Sequence, residues 1–114
     1  MSNNLFNPTA GPTGPAGTSI STQTDVTALR AIDGTVYQNA LTRSIFVLIQ
    51  SNLSTGGTVI LYSDSNVSPV LTIGALSNNN LAQMALLIGT WILPGNYYKV
   101  TGTLSTLTRW IEYS

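Results

Sequence analysis

Four carboxylates, Asp25, Asp33, Asp64 and Glu112, carry most of the acid–base chemistry open to this 114-residue sequence, because histidine and cysteine are both absent. Without histidine the commonest general base and the commonest metal ligand are gone, and without cysteine so are thiol nucleophiles and thiolate zinc sites. A glycosidase-type acid and nucleophile need two carboxylates converging on one bond. These four come from separate segments, and no two stand at helix or strand spacing. The stretch "SDSN" at 63–66 is a polar turn short of the ligands of a calcium loop. Gly56-Gly57 is followed by Thr58 with no lysine nearby, which makes a loop tip and not a phosphate cradle. The sequence predicts no enzyme, no cofactor and no metal site.

Binding chemistry remains. Tyr37, Tyr62, Trp91, Tyr97, Tyr98, Trp110 and Tyr113 offer flat rings that would stack on sugar faces, or that would fill a core or a subunit contact. Four cations, Arg30, Arg43, Lys99 and Arg109, balance the four acids and are scattered. They cannot form the clustered basic stripe that nucleic acid or an anionic membrane requires. Ser, Thr and Asn supply 38 residues, so the polar surface is made of neutral hydroxyls and amides. With a net charge of zero there is little colloidal repulsion. Such a surface suits a subunit buried in an assembly. "MSNNLFNPTAG" has neither the basic nor the apolar region of a secretory signal, and "IFVLIQ" and "MALLIGTWIL" are too short to span a bilayer.

The elements that must position these residues fall into three parts. Residues 1–10 read as an extended arm, since Pro8 fixes its own φ and turns Asn7 away from the helical region. Leu5 and Phe6 have no local apolar neighbours there. They belong either to a plain tail or to an anchor, Leu5, Phe6, Asn7 and Pro8, that fills a pocket on another protein. Residues 11–25 form a spacer that begins "GPTGPAGTS", three Gly-X-Y triplets with Gly11, Gly14 and Gly17 in register and Pro12 and Pro15 in the X position. Only glycine fits at the axis of three staggered polyproline-II strands. Three triplets cannot hold a trimer alone, but they can pair as a collar when a trimeric domain downstream brings their ends together.

Residues 26–114 show short β-favouring runs between turn residues, the pattern of an all-β antiparallel sandwich of jelly-roll or immunoglobulin-like type. Strands are expected near 27–31, 35–39, 44–50, 58–63, 69–74, 83–92, 97–102 and 107–113. Loops are expected at 51–57, 63–69 and 77–80, and Pro94-Gly95 fits the centre of a type II turn. Two stretches also read as helix: 26–32, where Val26, Leu29 and Ile32 follow Asp25 as a cap, and 79–89, rich in helix formers. In "NYYKVTG", Tyr98 and Val100 share one face and Tyr97, Lys99 and Thr101 the other. Arg109, between apolar neighbours, is expected at a rim with its stem over hydrophobic surface, or at a contact between subunits.

At "RAIDGTVYQN", residues 30–39, and at "LPGNYYKVTG" with the closing "WIEYS", the sequence resembles a recurrent small β-domain of tailed-phage virion proteins. The matching positions are Arg30, Thr35, Val36, Tyr37, Gln38, Asn39, Pro94, Gly95, Tyr97, Tyr98, Lys99, Val100 and Trp110. The resemblance covers roughly residues 27–114 and implies a homotrimeric knob on the virion, either in head decoration or on a tail fibre. A chain holding only an arm, a spacer and a knob fits a capsid decoration, or cement, protein on the outer surface of the capsid, its arms bound to the major capsid protein. The other reading is a receptor-binding tip in which the aromatics and loops 51–57 and 77–80 meet a host glycan. A collagen-tailed spore-surface protein would carry many more Gly-X-Y triplets.

Overall fold

The computed structural model describes residues 22–114. The arm and collar, with Leu5, Phe6, Asn7, Pro8, Gly11, Pro12, Gly14, Pro15 and Gly17, lie outside the described residues. Six strands follow: β1 (Gln23–Asp25), β2 (Asp33–Gln38), β3 (Ile45–Asp64), β4 (Thr72–Ser77), β5 (Gln83–Ile92) and β6 (Tyr97–Tyr113). All pairings are antiparallel. β3 and β6 form the central ladder, which is interrupted only at 54–57 of β3 and at two bulged positions of β6. β4 and β5 follow one another along the free side of β3, and β2 and β1 do the same along the free side of β6.

The sheet is therefore four passes wide, and every pass is bent or broken near its middle: at 26–32, 54–57, 78–82 and 102–106. That interruption lets the sheet close on itself. Tyr98 and Glu112 are 14 residues apart on the one strand β6, yet the Tyr98 hydroxyl donates to Glu112 Oε2 at 2.7 Å. In a straight strand those residues would stand roughly 45 Å apart. The two halves of the sheet thus face each other as the layers of an antiparallel sandwich, β1–β6–β3–β5 over β2–β6–β3–β4.

One face of each half lines the interior. Along β3 the alternation is strict: Ile45, Val47, Ile49, Leu53, Val59 and Leu61 are buried. From β6, Tyr98, Val100 and Trp110 complete the core, with Val26 and Ile92 closing it. Tyr98 and Val100 share one face, as the alternation of "NYYKVTG" predicts, and that face is the inward one. The bend of β3 is a bulge, since the four residues between Leu53 and Thr58 oppose the single Leu104 between Ser105 and Thr103. Gly57 sits at its closest approach: a Cβ there would lie 2.5 Å from the Leu104 carbonyl oxygen and 2.8 Å from that of Ser54. Leu104, across the ladder, takes a left-handed φ of 50° to complete the turn.

The strands differ from expectation in instructive ways. The runs at 44–50 and 58–63 are one strand, and those at 97–102 and 107–113 are another, because the ladder between the two resumes beyond the bulge at 54–57. The run at 69–74 shifts to Thr72–Ser77, since the Asp64 carboxylate accepts from the backbone N–H groups of Asn66, Val70 and Leu71 and holds that stretch as a loop. Residues 27–31 are not a strand. Thr27–Leu29 is a single 3₁₀ turn, and Asp25 supports it by accepting from the Thr27 N–H at 3.0 Å. The helical alternative at 79–89 gives way to β5, whose bounds coincide with the expected 83–92.

Candidate functional site

The residues singled out in the two stretches come together at one end of the sandwich. In the β2–β6 pairing, Val36 lies opposite Lys99, Tyr37 opposite Tyr98, and Gln38 opposite Tyr97. Gly95 has a φ of 78° and Asn96 N–H donates to Leu93 O at 3.1 Å, which is the type II turn expected of Pro94-Gly95. Asn39, fully enclosed, bolts this turn to the end of β2. Its Nδ2 donates to the carbonyls of Arg43, Ile92 and Leu93, and its backbone exchanges bonds with Gly95 and Asn96. Thr35 donates its hydroxyl to Asp33, and Gln38 Nε2 donates to Gly95 O.

Deeper in, three aromatic rings and one ion pair form a closed cluster. Tyr37 packs on Trp110 edge to face at 5.7 Å and on Tyr98 at 5.9 Å, so a ring from one layer bridges to the other. Arg30 lies over the Tyr37 ring, 4.5 Å from its centroid, and forks onto Glu112 with Nε–Oε2 at 3.2 Å and Nη2–Oε1 at 3.1 Å. Trp110 Nε1 also donates to Glu112 Oε2, at 3.1 Å. Burial, reinforced by the bond to Glu112, pushes the Tyr98 phenol well above its ordinary range. Burial alone would lower Arg30, but the Glu112 contact outweighs it and the guanidinium is held charged.

The cluster has no chemistry to spare. Both Glu112 oxygens are occupied, and the guanidinium and the phenol that face them are already committed. A cleft of about 230 Å³ opens beside it, lined by Val26, Arg30, Asn39, Leu41, Tyr98 and Glu112 among others. Arg30, Tyr37, Tyr98 and Trp110 hold the layers together, and Asn39, Pro94 and Gly95 fix the corner. Glu112 is the residue that reading the sequence missed. Its signal is the i, i+2 spacing from Trp110, which puts both on the inward face of β6. Among the described residues, no group of three His, Cys, Asp or Glu side chains could hold a metal ion, and no helix is long and apolar enough to cross a membrane.

The remaining expected residues face outward. Lys99 sits over the Tyr62 ring at 5.0 Å. Arg109 is exposed and reaches Asp25 at 3.7 Å. Of the loops that could meet a glycan, 51–57 is the bend of β3, and Asn78 ties it to 77–80 by exchanging backbone bonds with Gly56 and Gly57 and donating Nδ2 to Leu53 O.

A different surface stands out on the outer face of the β1–β6–β3–β5 layer. Pairing sets Gln23, Tyr113, Phe46 and Trp91 in one row across it, then Asp25, Ile111, Leu48 and Gly89, then Arg109, Gln50 and Leu87. Phe46 meets Trp91 edge to face at 5.2 Å and Tyr113 at 6.1 Å. Trp91 remains 53% exposed and Leu87 56%. Comparison with protein-family models, with curated proteins and with solved structures finds no match to the chain.

Proposed function

We propose that the chain is a structural virion protein, a tailed-phage capsid decoration protein that trimerises on the outer surface of the capsid and clamps neighbouring major capsid subunits through its N-terminal arms. It works by binding, with no catalytic step. The observation that carries this reading is the place where the knob begins. Thr22 and Ser114 exchange backbone hydrogen bonds at 2.9 Å, so the described chain enters the sandwich at the open end of the β1–β6 pairing, and the last residues of the expected spacer, 23–25, are β1 itself. A knob of neutral surface with one emerging tether is the build of a multivalent clamp, in which each arm binds modestly and linked arms gain avidity. The internal use of Arg30, Tyr37, Tyr98 and Trp110 also supports it, since a fold-holding role for these residues leaves binding to the arm and the outer surfaces.

The test is to mix full-length protein with undecorated capsids and image the particles by electron cryomicroscopy. Knobs over three-fold positions are the expected result. Deleting residues 1–10 should leave the circular dichroism of the knob unchanged and abolish decoration; undiminished decoration would remove the anchor role of Leu5, Phe6, Asn7 and Pro8. The exposed Trp91 and the juxtaposed segments 51–57 and 77–80 favour a second reading, a receptor-binding tip. Bare capsids together with glycan-array binding by the trimer would establish that one instead.

A further inference from the structure

We infer that the outer face of the β1–β6–β3–β5 layer is the contact between copies of this chain, with Phe46, Leu48, Leu87 and Trp91 of three copies lining a common three-fold axis. The inference rests on the trimeric reading above and names the surface that builds it.

Three observations converge on that face. The first is its chemistry. Across β3 and β5 the outward residues are Phe46, Leu48, Gln50, Leu87, Gly89 and Trp91, with no charge among them. The one charged pair on the face, Asp25 with Arg109, lies at its β1–β6 margin and neutralises itself. A surface of this kind is complementary to another copy of itself, whereas an acidic or basic partner would find nothing to pair with. Large exposed apolar side chains grouped on one face mark a place where a protein partner sits.

The second is the edge of β5. This strand pairs with β3 on one side, and its other side has no ladder partner among the described residues. Its ten residues, "QMALLIGTWI", include no charge and no proline. Proteins protect such edges with lysines, prolines or bulges, because an open row of N–H and C=O groups invites another chain. Here the protection is absent, which fits an edge that another copy covers.

The third fixes the occupant and the number. The Gly-X-Y triplets end at Ser19, and Thr22 is already paired with Ser114 beside Tyr113. Tyr113 stands in the same row as Phe46 and Trp91. Three residues of sequence separate Ser19 from Thr22, a reach of at most roughly 10 Å. Glycine at every third position serves a bundle of three chains about one axis. Three spacers start near one axis only if the knobs meet on the side from which the spacers emerge. A ring of three heterologous contacts closes there, with the apolar residues inside and the Asp25–Arg109 pair toward the rim.

The experiment uses the full-length chain and reads its mass by light scattering on a sizing column. Wild type is expected at three times 12.1 kDa. Leu87→Asp and Trp91→Arg are expected to fall threefold in mass with unchanged circular dichroism. Val67→Asp, at a site 70% exposed elsewhere on the knob, should remain trimeric. Trimeric Leu87→Asp and Trp91→Arg would overturn the inference, and so would wild type running as a monomer at all concentrations. Should the charged variants misfold, the cysteine-free chain allows a second route, spin labels at Leu87→Cys or Val67→Cys. Label-to-label distances between copies should be shorter at position 87 than at 67, and the reverse order overturns the assignment. A trimeric wild type that leaves capsids bare refutes the decoration reading while leaving this contact standing.

Discussion

Glu112 shows how one side chain can decide the fate of a fold. It is a carboxylate on the inward face of a strand, acceptable there because Arg30, Tyr98 and Trp110 all donate to it. Removing one partner of a buried ion pair is worse than never having had the pair, because the surviving charge keeps its desolvation cost without its partner. Glu112→Ala should therefore destabilise the knob by about 3 kcal/mol in urea unfolding. Glu112→Gln, which retains acceptors but loses the charge, should cost about half as much. Replacing Arg30 and Glu112 together with methionine should recover most of the loss. A double variant as unstable as the sum of the single changes would show that the ion pair is not the unit that matters.

At the scale of the element, the bends matter more than the strands. Gly57 is irreplaceable on steric grounds, since a Cβ would press on two backbone oxygens. Gly57→Ala should prevent folding or cost more than about 3 kcal/mol, against about 1 kcal/mol for an unhindered glycine. Asn78→Ala, which strips the carbonyls of Leu53 and Leu81 of a buried donor, should cost about 2 kcal/mol. These same bends explain what could be read in advance. β5 was legible because its long run through Trp91 carries no charge and the Pro94-Gly95 turn stops it. The continuity of β3 was not, because Ser54, Thr55, Gly56 and Gly57 have the local preferences of a loop, and they are held in line by the β6 ladder on either side of them and by the backbone bonds of Gly56 and Gly57 to Asn78. β1 was invisible for the same reason, being polar, exposed and held by its partner strand. Alternation puts Tyr98 on one face with Val100, but neither face of 107–113 is wholly apolar, so the inward side of Trp110 was not legible, and the Arg30–Glu112 pair joins residues 82 apart and leaves no local trace.

For the molecule as a whole, the ionisable groups set two limits on stability. Asp25 and Asp33 are held below the usual carboxylate range, each chiefly by a threonine hydroxyl two residues on, and Asp64 by the backbone N–H of Val70 and its neighbours. A lowered carboxylate contributes stability above its unfolded pKa of about 3.9, and loses it as pH falls through the folded value. Tyr98 is raised, so its contribution is complete below about pH 10 and disappears as pH climbs toward its folded value. The urea midpoint should thus be level between about pH 5 and 9 and fall on both sides. Asp64→Asn should make the acid fall shallower, and an unchanged acid limb in that variant would mean that the loop bonds of Asp64 carry no stability.

The pairing of Thr22 with Ser114 has a mechanical consequence. Any load arriving through residues 1–21 enters at the end of β1 and peels it from β6 one rung at a time, the weakest geometry in which a sheet can be pulled. β1 is three exposed residues long, so it gives way at low force and pays out roughly 10 Å of slack. Val26 then stops the tear, since its side chain is buried in the core and its N–H is bonded to Trp110 O at 2.9 Å. The knob carries a short extensible strap at the root of its tether, which absorbs displacement before any strain reaches the packed interior.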